Sequence, residues 1–193
     1  MVIDTKQVKD LRDRTGVSVM QCKKALEEAG GDMDKAIIIL QKKSKTVAEK
    51  KSDRELKSGI IQSYVHQTGG VGALIELSCE TDFVAKNEEF KKLAYDIAMH
   101  ITATSPEYLK KEDVGAEVKA KAAEVFAKEV EGKPENIKEK ILGGKLDAYF
   151  ADKILLEQPF IKDPDLKISQ IIESAVQKFG EKIEVRRFVR FAI

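Results

Sequence analysis

The sequence predicts an α+β fold, in which an N-terminal bundle of three helices precedes a small antiparallel sheet of three strands covered by helices. Three observations predict it. Residues 4–41 carry apolar side chains at helical spacing in three short runs separated by glycines. Residues 71–80 alternate between two faces, one of them fully apolar, with the period of a β-strand. Strands and helices do not alternate regularly along the chain, which disfavours a doubly wound parallel sheet.

The first predicted domain is the bundle, residues 1–41. Its first helix begins at Asp4 and ends before Gly16, the second is capped by Ser18, and the third opens at Asp32. Helices of about ten residues are marginal alone in water, so these three must pack on one another. The short turns between them favour a compact arrangement.

A basic segment, residues 42–56, is the predicted linker. It is rich in lysine and glutamate, with few apolar residues. Two interpretations fit this composition: a solvated extension of the third helix or a flexible tether. Either one places a domain boundary here.

The predicted core domain covers residues 57–193. A hairpin turns at Thr68–Gly70, because two runs of strand-like sequence flank these residues. Two amphipathic helices within 114–153, joined at Gly132–Lys133–Pro134, predict an antiparallel helical pair. The other predicted elements are a helix over 87–102, an extended or loop segment over 155–165, a helix over 168–179 and a closing strand over 183–191.

Charge and hydropathy restrict the function. The 34 Lys and Arg residues nearly balance the 33 Asp and Glu residues, which leaves a net charge of +1. Such a chain has no broad positive field, so nucleic-acid binding is disfavoured and another protein is the expected partner. No apolar run approaches the length of a membrane helix, and residues 1–10 lack the apolar core of a signal peptide. We therefore expect a cytoplasmic protein that does not bind membranes.

Residues suited to catalysis or metal binding are sparse. The spacing of Cys22, Cys79, His66 and His100 matches no structural zinc site, and both cysteines lie in apolar stretches, where we expect buried thiols. No Ser-His-Asp arrangement or glycine-rich phosphate loop occurs. The sequence thus predicts no enzyme, no cofactor and no metal site.

Two short apolar segments have no evident place in the predicted core. Val19 and Met20 lie beside a glycine turn and outside the apolar stripe of the second helix. Either one of them completes the small core, or they form an exposed docking surface. Phe83 and Val84 lie in a strand-to-helix turn, outside both periodic patterns. Either they pack on the following helix as a hydrophobic staple, or the turn is a protruding wedge that enters another protein.

Two long segments resemble the signatures of the elongation factor Ts family. The resemblance extends in order along essentially the whole chain. Its residues are Val8–Arg12, Arg14–Gly16 and Met20–Leu26 in the first signature, Cys79–Asn87 in the second, and then Ile97–Ile101, Gln158–Phe160 and Phe188–Phe191.

The resemblance implies a non-enzymatic exchange factor that releases GDP from elongation factor Tu. In the family, an N-terminal bundle of the ubiquitin-associated type grips the GTPase domain of elongation factor Tu. The residues that match here are Leu11, Arg12, Val19 and Met20. A second segment pushes between GTPase-domain helices and dislodges the magnesium ion, and its matching residues are Thr81, Asp82, Phe83 and Val84.

The resemblance also bears on assembly. Longer family members carry a duplicated core, whereas this chain has one hairpin, so similarity to the short members implies a homodimer. A three-stranded sheet with a free edge and an apolar face also tends to pair. An alternative function is an adaptor of the ubiquitin-associated type that binds an unrelated protein through residues 8–26 and exchanges no nucleotide.

Overall fold

A computed structural model describes residues 3–130 and 134–193, without the side chains of residues 135 and 136. It confirms the α+β class. The elements in order are α1 Thr5–Thr15, α2 Val19–Glu28, α3 Met33–Lys50, β1 Ser58–Val65, β2 Val71–Cys79, α4 Asp82–Ala85, α5 Glu88–Thr104, α6 Ala116–Glu129, α7 Glu135–Ala151, β3 Pro159–Phe160, β4 Asp163–Lys167, α8 Ile168–Phe179 and β5 Ile183–Ala192.

The three N-terminal helices begin at the predicted caps. The side chains of Asp4, Ser18 and Asp32 each accept a hydrogen bond from a backbone N–H in the first turn of the following helix. Gly16 closes α1 with φ +67°, a left-handed conformation that suits glycine. The bundle core consists of Val8, Leu11, Val17, Cys22, Ala25, Leu26, Ala36 and Leu40.

Helix α3 connects the bundle to the rest of the chain. It continues to Lys50, so residues 42–50 of the basic segment are helical. Ser44 is buried there and its hydroxyl donates to Gln177 of α8. Val47 and Ala48 pack against the apolar cluster of the larger domain. One helix therefore contributes to both cores.

The larger core is a three-stranded antiparallel sheet, as predicted. The strand order is β1-β2-β5, with β2 in the centre. The inner face of β2 (Ala73, Ile75, Leu77 and Cys79) packs in one cluster with Phe90, Ile97 and Ile101 of α5. At Gly59 of β1 a Cβ atom would lie 2.5 Å from the carbonyl oxygen of Leu77, so a side chain does not fit. The segment predicted as extended or loop contains the short β3–β4 ladder.

The helical pair has its own small apolar cluster. Val114, Phe150 and Ile154 are buried in it, and Tyr108, Ala122 and Leu146 pack against them. Gly143 and Gly144 do not divide α7, which is one helix. Of the predicted turn, residues 132 and 133 lie outside the described residues. No helix in the described part of the chain is both long and apolar enough to cross a membrane.

Candidate functional site

The turn between β2 and α5 presents an acid and an aromatic residue to solvent. This α4 turn (residues 81–85) begins at Thr81, whose extended backbone and hydroxyl cap the four-residue helix. Successive helical residues point about 100° apart, so neighbours can face opposite environments. Phe83 is 80% exposed, whereas Val84 is 4% exposed and lies in the main core.

Sequence analysis left two alternatives for Phe83 and Val84, packing on their own chain or protruding from it. In the structure Val84 packs and Phe83 protrudes. Val84 packs inside its own chain, so its side chain is unavailable to a partner in this conformation. The ring of Phe83 stands outside the core, and Asp82 and Thr81 are exposed beside it. The buried Val84 anchors the turn that carries the exposed ring.

Asp82 is a charged neighbour of that ring. Its carboxylate accepts a hydrogen bond of 2.6 Å from Nζ of Lys86, one helical turn later. This hydrogen bond and the charge of Lys86 lower the pKa of Asp82 below its ordinary value. The exposed pair is therefore an ionised carboxylate next to an apolar ring at neutral pH.

Contacts from distant parts of the chain hold the base of the α4 turn. One carboxylate oxygen of Glu181 accepts from the backbone N–H groups of Glu80 at 3.1 Å and of Thr81 at 3.0 Å, and the other accepts from the Thr81 hydroxyl. The carboxylate of Glu80 accepts from the N–H of Lys182 at 2.6 Å and from Arg54 at 3.1 Å. Desolvation raises the pKa of Glu80, but these two hydrogen bonds outweigh it and keep the pKa below its ordinary value.

The second candidate surface lies at the start of α2. Val19 is 51% exposed and Met20 is 69% exposed, because Val17 fills the bundle core instead of either. Arg12 is exposed on α1. Leu11 is fully buried in the core of the same bundle.

Comparison with known proteins decides the family. A family model described as Elongation factor TS matches residues 19–193. The chain belongs to the elongation factor Ts family. It is 52% identical to elongation factor Ts of Thermodesulfovibrio yellowstonii, in an alignment that covers 100% of this chain and 97% of that protein. It is 48% identical to elongation factor Ts of Carboxydothermus hydrogenoformans, over 100% of this chain and 89% of that protein. It is 49% identical to elongation factor Ts of Thermotoga petrophila, over 100% of this chain and 97% of that protein.

Membership of the elongation factor Ts family implies a nucleotide-exchange role toward elongation factor Tu in translation elongation. A role of this kind requires contact with a protein partner. The exposed apolar residues Val19, Met20 and Phe83 supply candidate contacts, and none of them is needed to fill a core of this chain. Within the residues that the structure describes, no group of three or more His, Cys, Asp or Glu side chains could hold a metal ion.

Two further segments that resemble elongation factor Ts signatures, residues 97–101 and 158–160, meet in the interior. Nε2 of His100 lies 2.9 Å from Oε1 of Gln158, and the N–H of Ile161 donates to Nδ1 of His100 at 3.4 Å. His100 is fully buried, and this desolvation lowers its pKa although Gln158 opposes the shift. The imidazole is therefore a neutral structural group and not an exposed base.

Sequence reasoning missed the residues that hold the α4 turn. Glu181 is separated from Thr81 by 100 positions, and no local pattern links the two. Glu80 precedes Thr81 directly, so its position next to the turn was the one available signal.

Cys22 and Cys79 are free and buried, and burial together with Glu181 raises the pKa of Cys79 to about 11.

Proposed function

We propose that this chain releases GDP from elongation factor Tu by inserting Asp82 and Phe83 into the GTPase domain. Insertion displaces the magnesium ion and loosens the phosphate site. The observation that carries the proposal is the exposure of the Phe83 ring on a turn whose next residue, Val84, is anchored in the core. The reaction takes place in the cytoplasm, and no side chain of this protein makes or breaks a covalent bond in it.

The nucleotide site of a GTPase explains why such an insertion is effective. GDP is held by backbone amides of the phosphate loop and by Mg²⁺ that neutralises phosphate charge. Removing the ion takes away the largest local positive charge and weakens the hold on GDP. The exchange factor must bind the nucleotide-free GTPase better than the GDP form, and GDP must weaken its binding by the same ratio.

The energy available from one aromatic ring is adequate. Full burial of a Phe side chain contributes about 1.5–3 kcal/mol. Each tenfold gain in release rate needs a barrier lower by about 1.4 kcal/mol. An exposed Phe83 that becomes buried in the partner therefore accounts for about one to two powers of ten in rate.

The bundle supplies binding energy in this proposal. Val19 and Met20 present apolar surface, and Arg12 presents a charge on the neighbouring helix. Leu11 acts indirectly, since it fills the core under that surface.

The test is the double variant Asp82→Ala with Phe83→Ala. We expect release of a fluorescent GDP from elongation factor Tu, followed by stopped flow, to slow at least about tenfold. The fold should persist, because both side chains are exposed and Phe83 makes no core contact. The matched control is Glu124→Ala with Val125→Ala, an adjacent exposed acid and apolar residue on α6.

An unchanged release rate in the double variant would exclude the insertion mechanism. If the unaltered chain neither bound elongation factor Tu nor accelerated GDP release, the adaptor function, which requires an unrelated partner, would replace exchange. The control pair should leave the rate as it is, since the proposal assigns no contact to α6.

We further propose that two copies pair through the outer face of the sheet. This face carries exposed apolar side chains from all three strands, namely Ile61, Val65, Leu74, Val189 and Phe191. An ion pair between Glu76 and Arg187, with a contact of 2.7 Å, lies on the same face. Two copies related by a two-fold axis would bury this apolar patch against itself, while the Glu76–Arg187 pair leaves little net charge on the face to repel a second copy.

The assembly is tested by light scattering. We expect twice the chain mass for the unaltered protein and a single chain mass for Val65→Asp with Phe191→Asp. A single chain mass for the unaltered protein across micromolar concentrations would exclude this homodimer.

A further inference from the structure

We infer that Glu181 is a positioning residue for nucleotide exchange. It fixes the backbone of Thr81 and thereby the direction in which Phe83 leaves the surface. The inference rests on the proposed function of Phe83 and assigns a role to a residue that is distant from it in sequence.

The first support is the set of hydrogen bonds that Glu181 accepts. Both of its carboxylate oxygens are used, one by the N–H groups of Glu80 and Thr81 and the other by the Thr81 hydroxyl. Hydrogen bonds to an ionised carboxylate are stronger than neutral ones. One half-buried side chain thus restrains both the backbone and the side chain of the residue that caps α4.

The second support is that Glu80 and Thr81 lie beyond the end of the β2–β5 ladder and form no ladder hydrogen bonds with β5. The antiparallel ladder between β2 and β5 ends at the pair Cys79–Ile183. The N–H groups of Glu80 and Thr81 lie just beyond it, where a strand partner no longer satisfies them. Glu181 takes the place of that partner at the point where the chain turns toward Phe83.

The third support is reciprocity between two turns. Glu181 lies in the turn between α8 and β5, directly after Gly180, whose φ is +73°. The next residue of that turn, Lys182, donates its N–H to Glu80 at 2.6 Å. Each turn therefore offers a carboxylate to the backbone of the other, and neither can rotate without breaking contacts in both.

The same α8–β5 turn also holds the chain segment that follows the bundle. Nζ of Lys51 donates to the carbonyl of Gly180, and Nζ of Lys182 donates to the carbonyl of Ser52, both at 2.6 Å. Lys51 and Ser52 directly follow α3, which contributes to the bundle core. The Gly180–Lys182 turn therefore contacts both the segment that follows the last bundle helix and the segment that carries Phe83.

The experiment compares Glu181→Ala, Glu181→Gln and the control Glu124→Ala in GDP release from elongation factor Tu. For Glu181→Ala we expect the maximal release rate at saturating factor to fall about fivefold to tenfold, since positioning errors act on the barrier. The factor concentration that gives half the maximal rate should change less than about twofold, because the bundle surface is intact. Glu181→Gln should recover most of the rate, because its amide oxygen still accepts and its amide N–H can donate to the Thr81 hydroxyl.

A double-mutant cycle with Phe83→Ala separates the inference from the proposed function. If Glu181 acts through Phe83, then Glu181→Ala has no further effect on the rate once Phe83 is alanine. An additive effect, or no effect of Glu181→Ala beside a slow Phe83→Ala variant, would overturn the inference and leave the proposed function standing. No effect of Phe83→Ala would overturn the proposed function itself.

Backbone amide exchange gives a readout at the turn. The amide protons of Glu80 and Thr81 should exchange faster in Glu181→Ala, while those of β2 and α5 keep their protection. Unchanged exchange at both amides would contradict the inference. If the alanine variant does not fold, Glu181→Asp carries the same tests, because its shorter side chain keeps the charge but does not span to both N–H groups.

Discussion

Two helix starts in this molecule share a local design and differ in how they are held. At α2, Ser18 caps the helix and the next two residues, Val19 and Met20, are exposed. At α4, Thr81 caps the helix and the next two residues, Asp82 and Phe83, are exposed. In both, a buried residue follows and anchors the chain: Cys22 in α2 and Val84 in α4.

The restraints on the two turns come from different distances along the chain. Ser18 bonds only within its own turn in the described contacts, accepting from the N–H of Gln21 at 3.4 Å and donating to the Gln21 side chain at 3.0 Å. Thr81 is bonded to Glu181, 100 positions away. In the proposed mechanism the α2 surface adds affinity, for which a locally capped turn is sufficient. The α4 segment is proposed to displace other groups, and such a role needs rigid support from the whole domain.

The largest expected effect is on the bundle. Leu11→Ala removes a fully buried side chain from a core of eight buried residues. We expect the free energy of unfolding of the bundle to fall by about 2–5 kcal/mol, with loss of affinity for elongation factor Tu, although no contact residue is altered. Chemical denaturation followed by circular dichroism and a binding titration measure the two effects. Full stability combined with lost affinity would mean that Leu11 contacts the partner after all.

The two capping residues, Thr81 and Ser18, should differ in how much stability is lost when each is replaced by alanine. Thr81→Ala removes a hydroxyl that bonds to a carboxylate, and we expect a loss of stability of about 1–2 kcal/mol. Ser18→Ala removes an exposed local cap, and we expect about 0.5–1 kcal/mol. Urea unfolding of the two variants gives the comparison. Equal losses, or a larger loss at Ser18, would show that the remote restraint adds nothing to the α4 turn.

A prediction for Met20 distinguishes affinity from rate. Met20→Ala should raise the factor concentration needed for half-maximal GDP release about fivefold, and leave the maximal rate unchanged, because the lost apolar burial affects binding alone. Val125→Ala, which alters another exposed apolar residue on α6, is the control. A lower maximal rate with unchanged half-saturation would assign Met20 to the same step as Phe83.

Much of the fold follows from local patterns. The caps Asp4, Ser18 and Asp32, the alternation in β2 and the glycine turn of the hairpin act over a few residues, and each prediction from them is confirmed. The closing strand joins the hairpin as predicted, and it does so at the edge of β2 that β1 leaves free. Local chemistry of this kind is readable because turn and cap preferences depend on immediate neighbours.

Which apolar residues face solvent could not be read in the same way. Val17, Val19 and Met20 are similar in hydrophobicity, and the choice of Val17 for the core depends on the packing of three helices around it. Phe83 and Val84 present the same ambiguity, which the main core resolves in favour of Val84. Periodicity identifies a helical face but does not identify which face of a four-residue helix is inside.

The sequence by itself determined the family signatures, the types of the longer elements and the segment that carries Asp82 and Phe83. The tertiary structure alone decided that the Phe83 ring is exposed, that Leu11 and Val84 are not, and that Glu181 holds the turn. The physical reason is distance along the chain. Caps and alternation act between neighbours, whereas burial and the Glu181 hydrogen bonds join residues that only the folded chain brings together.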